Sequence, residues 1–335
     1  MSAAVHVSVF AKTDLGQTRE HNEDSFLVAD LSTGTASLMP DVREHDVGER
    51  GSLFVVADGM GGAAAGELAS SMATEVIWQH LITTWATDTE LSAELFALRM
   101  REAVERANAE IFQYAEEHPE VHGMGTTLTM AGVYGAELYL AQIGDSRAYL
   151  IRGGRTFQLT RDQSLTQRLI DAGELSEEEA ERSERRNIIL QALGPDLQIR
   201  VDLSHQALRR GDVLVMCSDG LSGLVKRDEI GELAGRITSL PDLCSALIDL
   251  ANSRGGPDNI TVVAARFGGD GLAPPDPADD EVGYHNLDIE ELSTVEFPAA
   301  APVVAPERRT GSPRTILIGA LIITILIAVV LVLLF

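Results

Sequence analysis

Cysteine is nearly absent from this 335-residue sequence, which contains only Cys217 and Cys244. Two cysteines do not support a disulfide framework or a cysteine-rich zinc site, and Cys217 lies within an apolar stretch that is typical of a strand. The scarcity of cysteine therefore favours a protein of a reducing compartment.

Basic residues are also scarce, because 26 Lys and Arg stand against 51 Asp and Glu and give a formal net charge of −25. A nonspecific nucleic-acid binder needs a basic face to displace counterions, so this charge argues against that class. No Lys or Arg occurs between Arg266 and Arg308, where acidic residues accumulate among prolines and alanines. Residues 269–314 are therefore predicted to be a solvated acidic linker.

The N-terminus lacks the basic leader of a signal peptide. Its short apolar run alternates at Val5, Val7 and Val9, and this alternation favours a strand. We therefore do not expect secretion.

Charged residues are missing from residues 315–335, which are all apolar, Gly or Thr. A helix of about 21 residues spans roughly 31 Å, which matches the core of a bilayer. Arg308, Arg309 and Arg314 precede this run. By the positive-inside tendency, we expect a transmembrane helix that anchors the tail and leaves the rest of the protein in the cytoplasm.

Strand-like and helix-like patterns alternate along the first 268 residues. Apolar runs predict strands over residues 5–11, 53–57, 127–133, 138–143, 148–151, 213–217 and 260–267. Apolar residues at helical spacing predict helices over residues 67–85, 92–117 and 240–252. The tight connection "GDSR" at residues 144–147 favours antiparallel hairpins, so the sequence predicts sheet layers covered by helices. Residues 161–193 are predicted to be a small helical insertion, in which Ser176 and Glu179 have the spacing of a capping box.

Six acidic residues sit beside turn residues and next to apolar strands: Glu23, Asp24, Asp58, Asp145, Asp219 and Asp258. One Asp before a Gly is usually a turn former, but six such residues suggest a common site at one end of the sheets. A group of anions does not remain ionised without cations. Oxygen ligands without the His and Cys spacing of a zinc site indicate Mg²⁺ or Mn²⁺.

Glycines follow Asp58 in the stretch "VVADGMGG". Gly59 leaves its carbonyl accessible to a metal, while Gly61 and Gly62 allow the backbone to turn away without a Cβ clash. We interpret this loss of bulk as room for ions, water and substrate at the strand end.

Seven motifs of this sequence resemble those of the metal-dependent protein phosphatases of type 2C, particularly the bacterial Ser/Thr branch. They are "LGQTREHNEDSF", "VVADGMGG", "GMGTTLT", "AQIGDSRAYLIR", "LTRDQSL", "MCSDGLSG" and "GGPDNITVV", in the expected order. The resemblance covers residues 5–267 and implies an α+β fold, a four-layer α-β-β-α sandwich of two antiparallel sheets flanked by helices. The full prediction is a catalytic domain over residues 1–268 with a flap-like insertion, the linker over 269–314 and the transmembrane helix over 315–335.

The resemblance also implies a site and a reaction. Asp58 would bridge two Mn²⁺ or Mg²⁺ ions, Asp219 and Asp258 would complete one coordination sphere, and Glu23 and the Gly59 carbonyl would serve the other. Asp24 would orient a metal-bound water, and Arg19 would bind the substrate phosphate, since a planar guanidinium suits two phosphate oxygens. A metal-bridging hydroxide would then attack phosphoserine or phosphothreonine in proteins, without a phosphoenzyme.

Two positions depart from the family pattern. Met60 stands where some relatives carry a histidine proposed as general acid, so the leaving group must be protonated by water or another residue. Gly223 stands where many relatives have an aspartate associated with a third metal, although Asp145 still matches that third site. His21, beside Glu23, is interpreted as a solvent-facing or hydrogen-bonded histidine rather than a ligand.

Two alternatives stay open on the sequence alone. One is a catalytically silent member that binds phosphoproteins or serves as a scaffold, although Asp58, Asp219 and Asp258 are all present. The other is a different metal-dependent phosphoester hydrolase, such as a nuclease or nucleotide phosphatase. The expected partners are phosphoproteins, including a membrane Ser/Thr protein kinase and its substrates, with no nucleic acid.

Overall fold

The structure is a computed structural model that describes residues 4–39, 41–183, 185, 187–276 and 282–287. The described residues form thirteen strands: β1 (His6–Asp14), β2 (Asp24–Asp30), β3 (Thr35–Ser37), β4 (Arg43–Asp46), β5 (Ser52–Met60), β6 (Gly125–Thr126), β7 (Leu128–Tyr134), β8 (Glu137–Ile143), β9 (Arg147–Arg152), β10 (Arg155–Gln158), β11 (Asp202–Ala207), β12 (Val213–Cys217) and β13 (Ile260–Gly268). They also form seven α-helices: α1 (Ala63–Thr83), α2 (Ala93–Glu117), α3 (Leu165–Asp171), α4 (Glu177–Glu181), α5 (Asp219–Ser222), α6 (Arg227–Arg236) and α7 (Leu240–Ser253).

Two antiparallel sheets face each other in the middle of the fold. The first has the strand order β10-β9-β12-β13-β1-β4, and the second has the order β11-β8-β7-β5-β2-β3, with β6 paired to β5. Alternate residues of both sheets, such as Val9, Phe54 and Met216, interdigitate in a buried core between them. Both sheets are thus apolar on their inner faces.

Helices cover the outer face of each sheet. α1 and α2 pack on the second sheet, mainly against β5, β2 and β8, and α6 and α7 pack on the first sheet. Leu243 and Leu247 of α7 meet Val215 and Val262 in a second buried cluster. The layers therefore follow the predicted α-β-β-α order, because each sheet must bury two apolar faces.

The fold class inferred from the sequence needs one correction, at its last element. Within the described ranges, no helix is both long enough and apolar enough to cross a membrane. The two longest, α1 and α2, each contain acidic residues on an exposed face, as expected of helices that cover a sheet. The span predicted over residues 315–335 lies outside the described residues. For the described residues, the corrected fold class is two antiparallel sheets with helices.

The connection "GDSR" does not form the hairpin that its shortness suggested. β8 pairs with β7 and β11 in the second sheet, whereas β9 pairs with β10 and β12 in the first. The chain therefore crosses from one sheet to the other between Ile143 and Arg147, and it places Asp145 at that crossing. Hairpins with two-residue turns are formed instead by β7–β8 and by β9–β10.

Ordered contacts continue past residue 268, where the linker was predicted to begin. Leu272 is 1% exposed and belongs to the core between the sheets, and the N–H of Arg210 donates to the carbonyl of Ala273. Residues 282–287, here called the strap, run antiparallel to β11. The N–H of Leu287 donates to Leu203 at 2.8 Å, and the N–H of His205 donates to His285 at 3.1 Å.

Candidate active site

The first two acids of the site face each other across neighbouring strands. β2 begins at Asp24 and β5 ends at Met60, and the antiparallel register pairs Asp24 with Asp58. Side chains of residues directly opposite lie on the same face, and their Cβ atoms are about 5 Å apart. Like charges at this spacing repel, so the pair needs cations nearby to stay ionised.

Backbone and hydroxyl groups hold the end of β5 in place. The N–H of Thr127 donates to the Asp58 carbonyl at 2.8 Å, and the Thr126 hydroxyl donates to the same oxygen at 3.0 Å. These two threonines are the polar pair of the motif "GMGTTLT". They fix the backbone from which the Asp58 side chain extends.

Two further acids come from the other sheet. Asp219 follows β12 in the first turn of α5, and Asp258 lies two residues before β13. Burial raises the pKa of Asp58 well above the usual range, and the charges of Asp219 and Asp258 add to the rise. Both residues therefore lie close to Asp58. Burial also raises the pKa of Asp24 to about 7, with Asp219 and Asp258 adding to the rise. The four aspartates therefore share one end of the paired sheets.

Asp145, at the crossing between the sheets, joins the same group. Burial, followed by the charge of Asp219, raises its pKa to about 7. Its Oδ1 is buried and has no hydrogen-bond partner among the described residues. Asp145, Asp219 and Asp258 line one side of a cleft of about 540 Å³.

Residues of the predicted flap-like insertion also line this cleft. The insertion contains α3 and α4, and the capping box of Ser176 and Glu179 is present at the start of α4. Its first residues are tied beside Asp145, because Arg147 Nη2 donates to Asp162 at 2.6 Å and the N–H of Gln163 donates to Gly144 at 2.8 Å. The motifs "GDSR" and "LTRDQSL" therefore meet at the base of the insertion.

Arg19 lies at the rim of the cluster of acidic side chains. Its Nη2 donates to Asp258 Oδ2 at 2.9 Å, and its Nη1 lies 3.8 Å from Glu23 Oε1. The side chain is 45% exposed, and the hydrogen bond with Asp258 raises its pKa. The guanidinium is thus held next to two predicted metal ligands while part of its surface is open to solvent.

The structure gives a second reason for a glycine at position 59, besides the accessible carbonyl inferred from the sequence. A Cβ at this position would collide with the carbonyl oxygens of Gly66 and Glu23, so the absence of a side chain permits close backbone packing. The Gly59 N–H also donates to the Glu23 carbonyl at 3.1 Å. Gly61 and Gly62 have φ angles of 116° and 93°, which agree with the predicted turn.

Five further residues were singled out in the sequence, and the structure places each of them. Cys217 and Cys244 are both free and buried, and burial raises the pKa of each thiol to about 12. His21 is exposed, which agrees with the solvent-facing position predicted for it. Met60 is the last residue of β5, and Gly223 ends α5, so neither brings an ionisable group to the cleft.

The chemistry of these donors fits hard divalent cations. In the described ranges no three His, Cys, Asp or Glu side chains are already arranged as a complete metal-binding group. However, burial raises the pKa of Asp24, Asp58, Asp145 and Asp219, nearby carboxylates add to each rise, and Asp145 keeps an unpartnered oxygen. Buried anions that repel one another are stabilised by Mg²⁺ or Mn²⁺, which prefer oxygen ligands.

Sequence reasoning missed Asn259, which holds the loop that carries Arg19 and Glu23. Its Oδ1 accepts the N–H of Glu23 at 2.8 Å, and its Nδ2 donates to the carbonyls of Leu15 at 3.1 Å and His21 at 3.0 Å. The only available signal was a polar residue between Asp258 and an apolar strand. Such a position is usually assigned to a turn.

We expect Asn259→Leu to lower kcat/KM on a phosphopeptide by about tenfold or more, because the loop of Arg19 and Glu23 loses its anchor. Three unsatisfied backbone groups also cost about 3 kcal/mol or more of stability. Asn108 provides a matched control, since it makes the same three bonds to Gly194, Asp196 and Leu197. Asn108→Leu should lower Tm similarly and leave kcat/KM within about twofold; equal activity losses in the two variants would contradict the positioning role.

Comparisons with known proteins identify similar sequences and folds. The family model described as protein phosphatase 2C matches residues 40–252. The serine/threonine phosphatase stp of Listeria monocytogenes is 36% identical over 253 residues, which cover 75% of this chain and 92% of that protein. The serine/threonine protein phosphatase PstP of Mycobacterium tuberculosis is 38% identical over 255 residues, which cover 76% of this chain and 44% of PstP.

Solved structures show the same similarity. The crystal structure of M. tuberculosis PstP/Ppp has a TM-score of 0.66 and 35% identity, and it covers 78% of this chain and 99% of that chain. A crystal structure of the PstP catalytic domain in complex with two manganese ions has a TM-score of 0.64 and 34% identity, with 79% of this chain and 99% of that chain covered.

The two paired sheets and these relatives define an enzyme of the Ser/Thr protein phosphatase class, a group of hydrolases that act on phosphoric monoesters. Within that class, this chain belongs to the protein phosphatase 2C family. The predicted family and enzyme class are confirmed, and the predicted cofactor agrees with the two manganese ions bound by PstP. The family model ends before Asp258 and begins after Asp24, so the placement of these two residues rests on the geometry described above.

Proposed function

We propose that this phosphatase hydrolyses phosphoserine and phosphothreonine in proteins in one step, with water as nucleophile and two Mn²⁺ or Mg²⁺ ions as cofactor. The observation that carries the proposal is the meeting of Asp24, Asp58, Asp219 and Asp258, which come from four distant segments and both sheets. An anionic cluster of this kind has no structural benefit without cations, because its members repel one another.

The positions of the side chains support the roles that we propose for them. Asp58 would hold both ions, since the charges of Asp24, Asp219 and Asp258 all act on it. Asp219 and Asp258 would hold one ion, while Glu23 and the Gly59 carbonyl would hold the other. Asp145 and its unpartnered Oδ1 are available for a third ion, although Gly223 supplies no ligand there.

The reaction needs an activated water, charge neutralisation and a proton for the leaving group. When bound, the ions activate water as a nucleophile and neutralise negative charge on the phosphoryl oxygens. Asp24 orients the attacking water, and Arg19 binds two phosphate oxygens at the exposed rim. Met60 has no proton to donate, so the leaving seryl or threonyl oxygen takes its proton from water or from another residue.

We place the physiological substrates among phosphoproteins made by a Ser/Thr protein kinase. The support is the similarity to PstP and stp, which are both named serine/threonine phosphatases. The two free, buried cysteines are compatible with the cytoplasm, which is the proposed location of the catalytic domain. Membrane attachment depended on residues 315–335, which lie outside the described residues, and no step of the proposed reaction uses it.

The test is a metal titration of the full-length chain with two substrates, a phosphothreonine peptide and a nucleoside monophosphate. After treatment with EDTA, added Mn²⁺ or Mg²⁺ should restore peptide hydrolysis. The nucleotide should react at least about 100-fold more slowly, since the open cleft offers it no specific contacts. Equal turnover of the nucleotide would favour the nucleotide phosphatase alternative, and metal binding without turnover would favour the catalytically silent one.

A further inference from the structure

Two buried hydroxyl groups converge on one oxygen of Asp24. The Ser218 hydroxyl donates to Asp24 Oδ2 at 2.8 Å, and the Thr261 hydroxyl donates to the same oxygen at 2.7 Å. Both donors are fully buried. Among the described residues no group donates to the other oxygen, Oδ1. One carboxylate oxygen is therefore fixed by the protein, and the other is left for the reaction centre.

When the Asp24 carboxylate is ionised, it can only accept, and this fixes the direction of the neighbouring hydrogen bonds. Thr261 Oγ1 donates its single proton to Asp24. Thr13 must therefore be the donor in the 2.7 Å contact between Thr13 Oγ1 and Thr261 Oγ1. Asn22 Nδ2 in turn donates to Thr13 Oγ1 at 2.8 Å. A directed chain therefore runs from Asn22 through Thr13 and Thr261 to Asp24, and each bond polarises the next.

Ser218 is oriented in the same way by the backbone. The N–H of Thr261 donates to Ser218 Oγ at 2.9 Å, and the serine proton goes to Asp24 Oδ2 at 2.8 Å, which is much closer than the Asn259 carbonyl at 3.5 Å. Thr261 lies in β13 of the first sheet and Ser218 directly follows β12 of the same sheet, whereas Asp24 belongs to β2 of the second sheet. The hydroxyl pair thus fixes the Asp24 carboxylate across the gap between the sheets.

We propose that Ser218 and Thr261 are positioning residues for the phosphatase reaction, which act by fixing the rotation of the Asp24 carboxylate so that Oδ1 faces the attacking water. The inference rests on the proposed function, in which Asp24 orients that water. It assigns a role to the serine of "MCSDGLSG" and the threonine of "GGPDNITVV". Without the two donors, the carboxylate rotates about its χ angle and the water loses its fixed direction.

Thr261→Val tests the proposal, because valine keeps the shape of threonine and removes the hydroxyl. We expect kcat on a phosphothreonine peptide to fall about 10–100-fold, with KM within about twofold. Thr261→Ser keeps the hydroxyl and should restore kcat to within about threefold of wild type. Ser218→Ala should lower kcat in the same direction as Thr261→Val.

The same substitution made in the Asp24→Asn variant distinguishes the positioning of Asp24 from a general effect on stability. In Asp24→Asn, the group on which Thr261 acts is already altered, so Thr261→Val should cause no further loss of kcat. Calorimetric titration with Mn²⁺ gives a readout that does not depend on turnover, and the affinity of Thr261→Val should stay within about threefold of wild type. A parallel loss of Mn²⁺ affinity and kcat would overturn the proposal, as would a full additional loss in the Asp24→Asn background.

Ser52→Ala is the matched control. Its buried hydroxyl contacts His45 Nε2 at 2.7 Å and also joins the two sheets, but it lies at the start of β5, six residues before Asp58. Ser52→Ala should lower Tm by an amount similar to Thr261→Val and leave kcat unchanged. If both variants lose kcat equally, the hydroxyls only hold the sheets together. If the wild type shows no Mn²⁺-dependent peptide hydrolysis, the proposed function fails before this question arises.

Discussion

Asp58→Asn should lose almost all phosphopeptide turnover, by about 10³-fold or more in kcat, while the protein stays folded. The asparagine keeps the shape of the side chain but removes the charge that is proposed to hold both ions, and the loss of one such charge interaction costs at least several kcal/mol in the transition state. Steady-state assays at saturating Mn²⁺ measure the effect.

The same substitution should raise the stability of the metal-free protein. Burial and the neighbouring carboxylates raise the pKa of Asp58 in the folded state above its unfolded value of about 3.9. A group of this kind stabilises the fold below its unfolded pKa, and this contribution is lost as the pH rises through the folded pKa. At neutral pH in EDTA, wild type therefore carries a penalty that Asp58→Asn does not.

Thermal unfolding with EDTA and with Mn²⁺ distinguishes the two effects. Mn²⁺ should raise the Tm of wild type, because a ligand that binds only the folded state stabilises it. Asp58→Asn should begin from a higher metal-free Tm and respond much less. Asp249→Asn, in an exposed position of α7, serves as the neutral control. Turnover of Asp58→Asn within tenfold of wild type would contradict the bridging role.

Asp212→Asn should have the largest effect on stability without a direct effect on chemistry. Arg152 Nε donates to Asp212 Oδ1 at 2.9 Å and Nη2 donates to Oδ2 at 2.6 Å, and both side chains are buried. The N–H of Arg209 also donates to Asp212. Removing the charge leaves a buried guanidinium uncompensated, which costs about 3–5 kcal/mol and lowers Tm by roughly 6–15 °C.

The activity of the folded protein should survive this change, because Asp212 precedes β12 and Asp219 follows it, about 20 Å along the strand. Glu110→Gln is the matched control, since Glu110 accepts from Arg106 at 2.7 Å on the exposed face of α2. Breaking that exposed pair should cost less than about 0.5 kcal/mol. Similar Tm losses for the two variants would show that burial of the Arg152–Asp212 pair does not increase its effect on stability.

Strands with strong apolar patterns could be predicted from the sequence, because burial on both faces leaves a clear signal. The strand predicted over residues 213–217 matches β12, and the one predicted over residues 260–267 is one residue shorter than β13. β11, with the sequence DLSHQA, was not predicted, because most of its residues are polar and no apolar pattern indicates the half-buried strand. α6 was missed as well, because Gly231 and Gly235 interrupt its pattern.

The acids of the candidate site could be found in the sequence because each one stands beside a turn residue and an apolar strand. The groups that support them could not. Ser218 and Thr261 are 194 and 237 residues from Asp24, and no local pattern shows which hydroxyl lies under which carboxylate. The partners of "GDSR" were misjudged for the same reason, since a short connection does not reveal that β8 and β9 belong to different sheets.

The strap has a practical consequence for any shortened version of the enzyme. β11 is the outermost strand of its sheet, and residues 282–287 cover backbone groups that would otherwise be open. A protein ending at Gly268 would lose this cover together with the buried side chain of Leu272. Unpaired edges of this kind recruit other copies and cause aggregation. A soluble catalytic fragment is therefore better ended after Leu287 than at the point where the acidic composition begins.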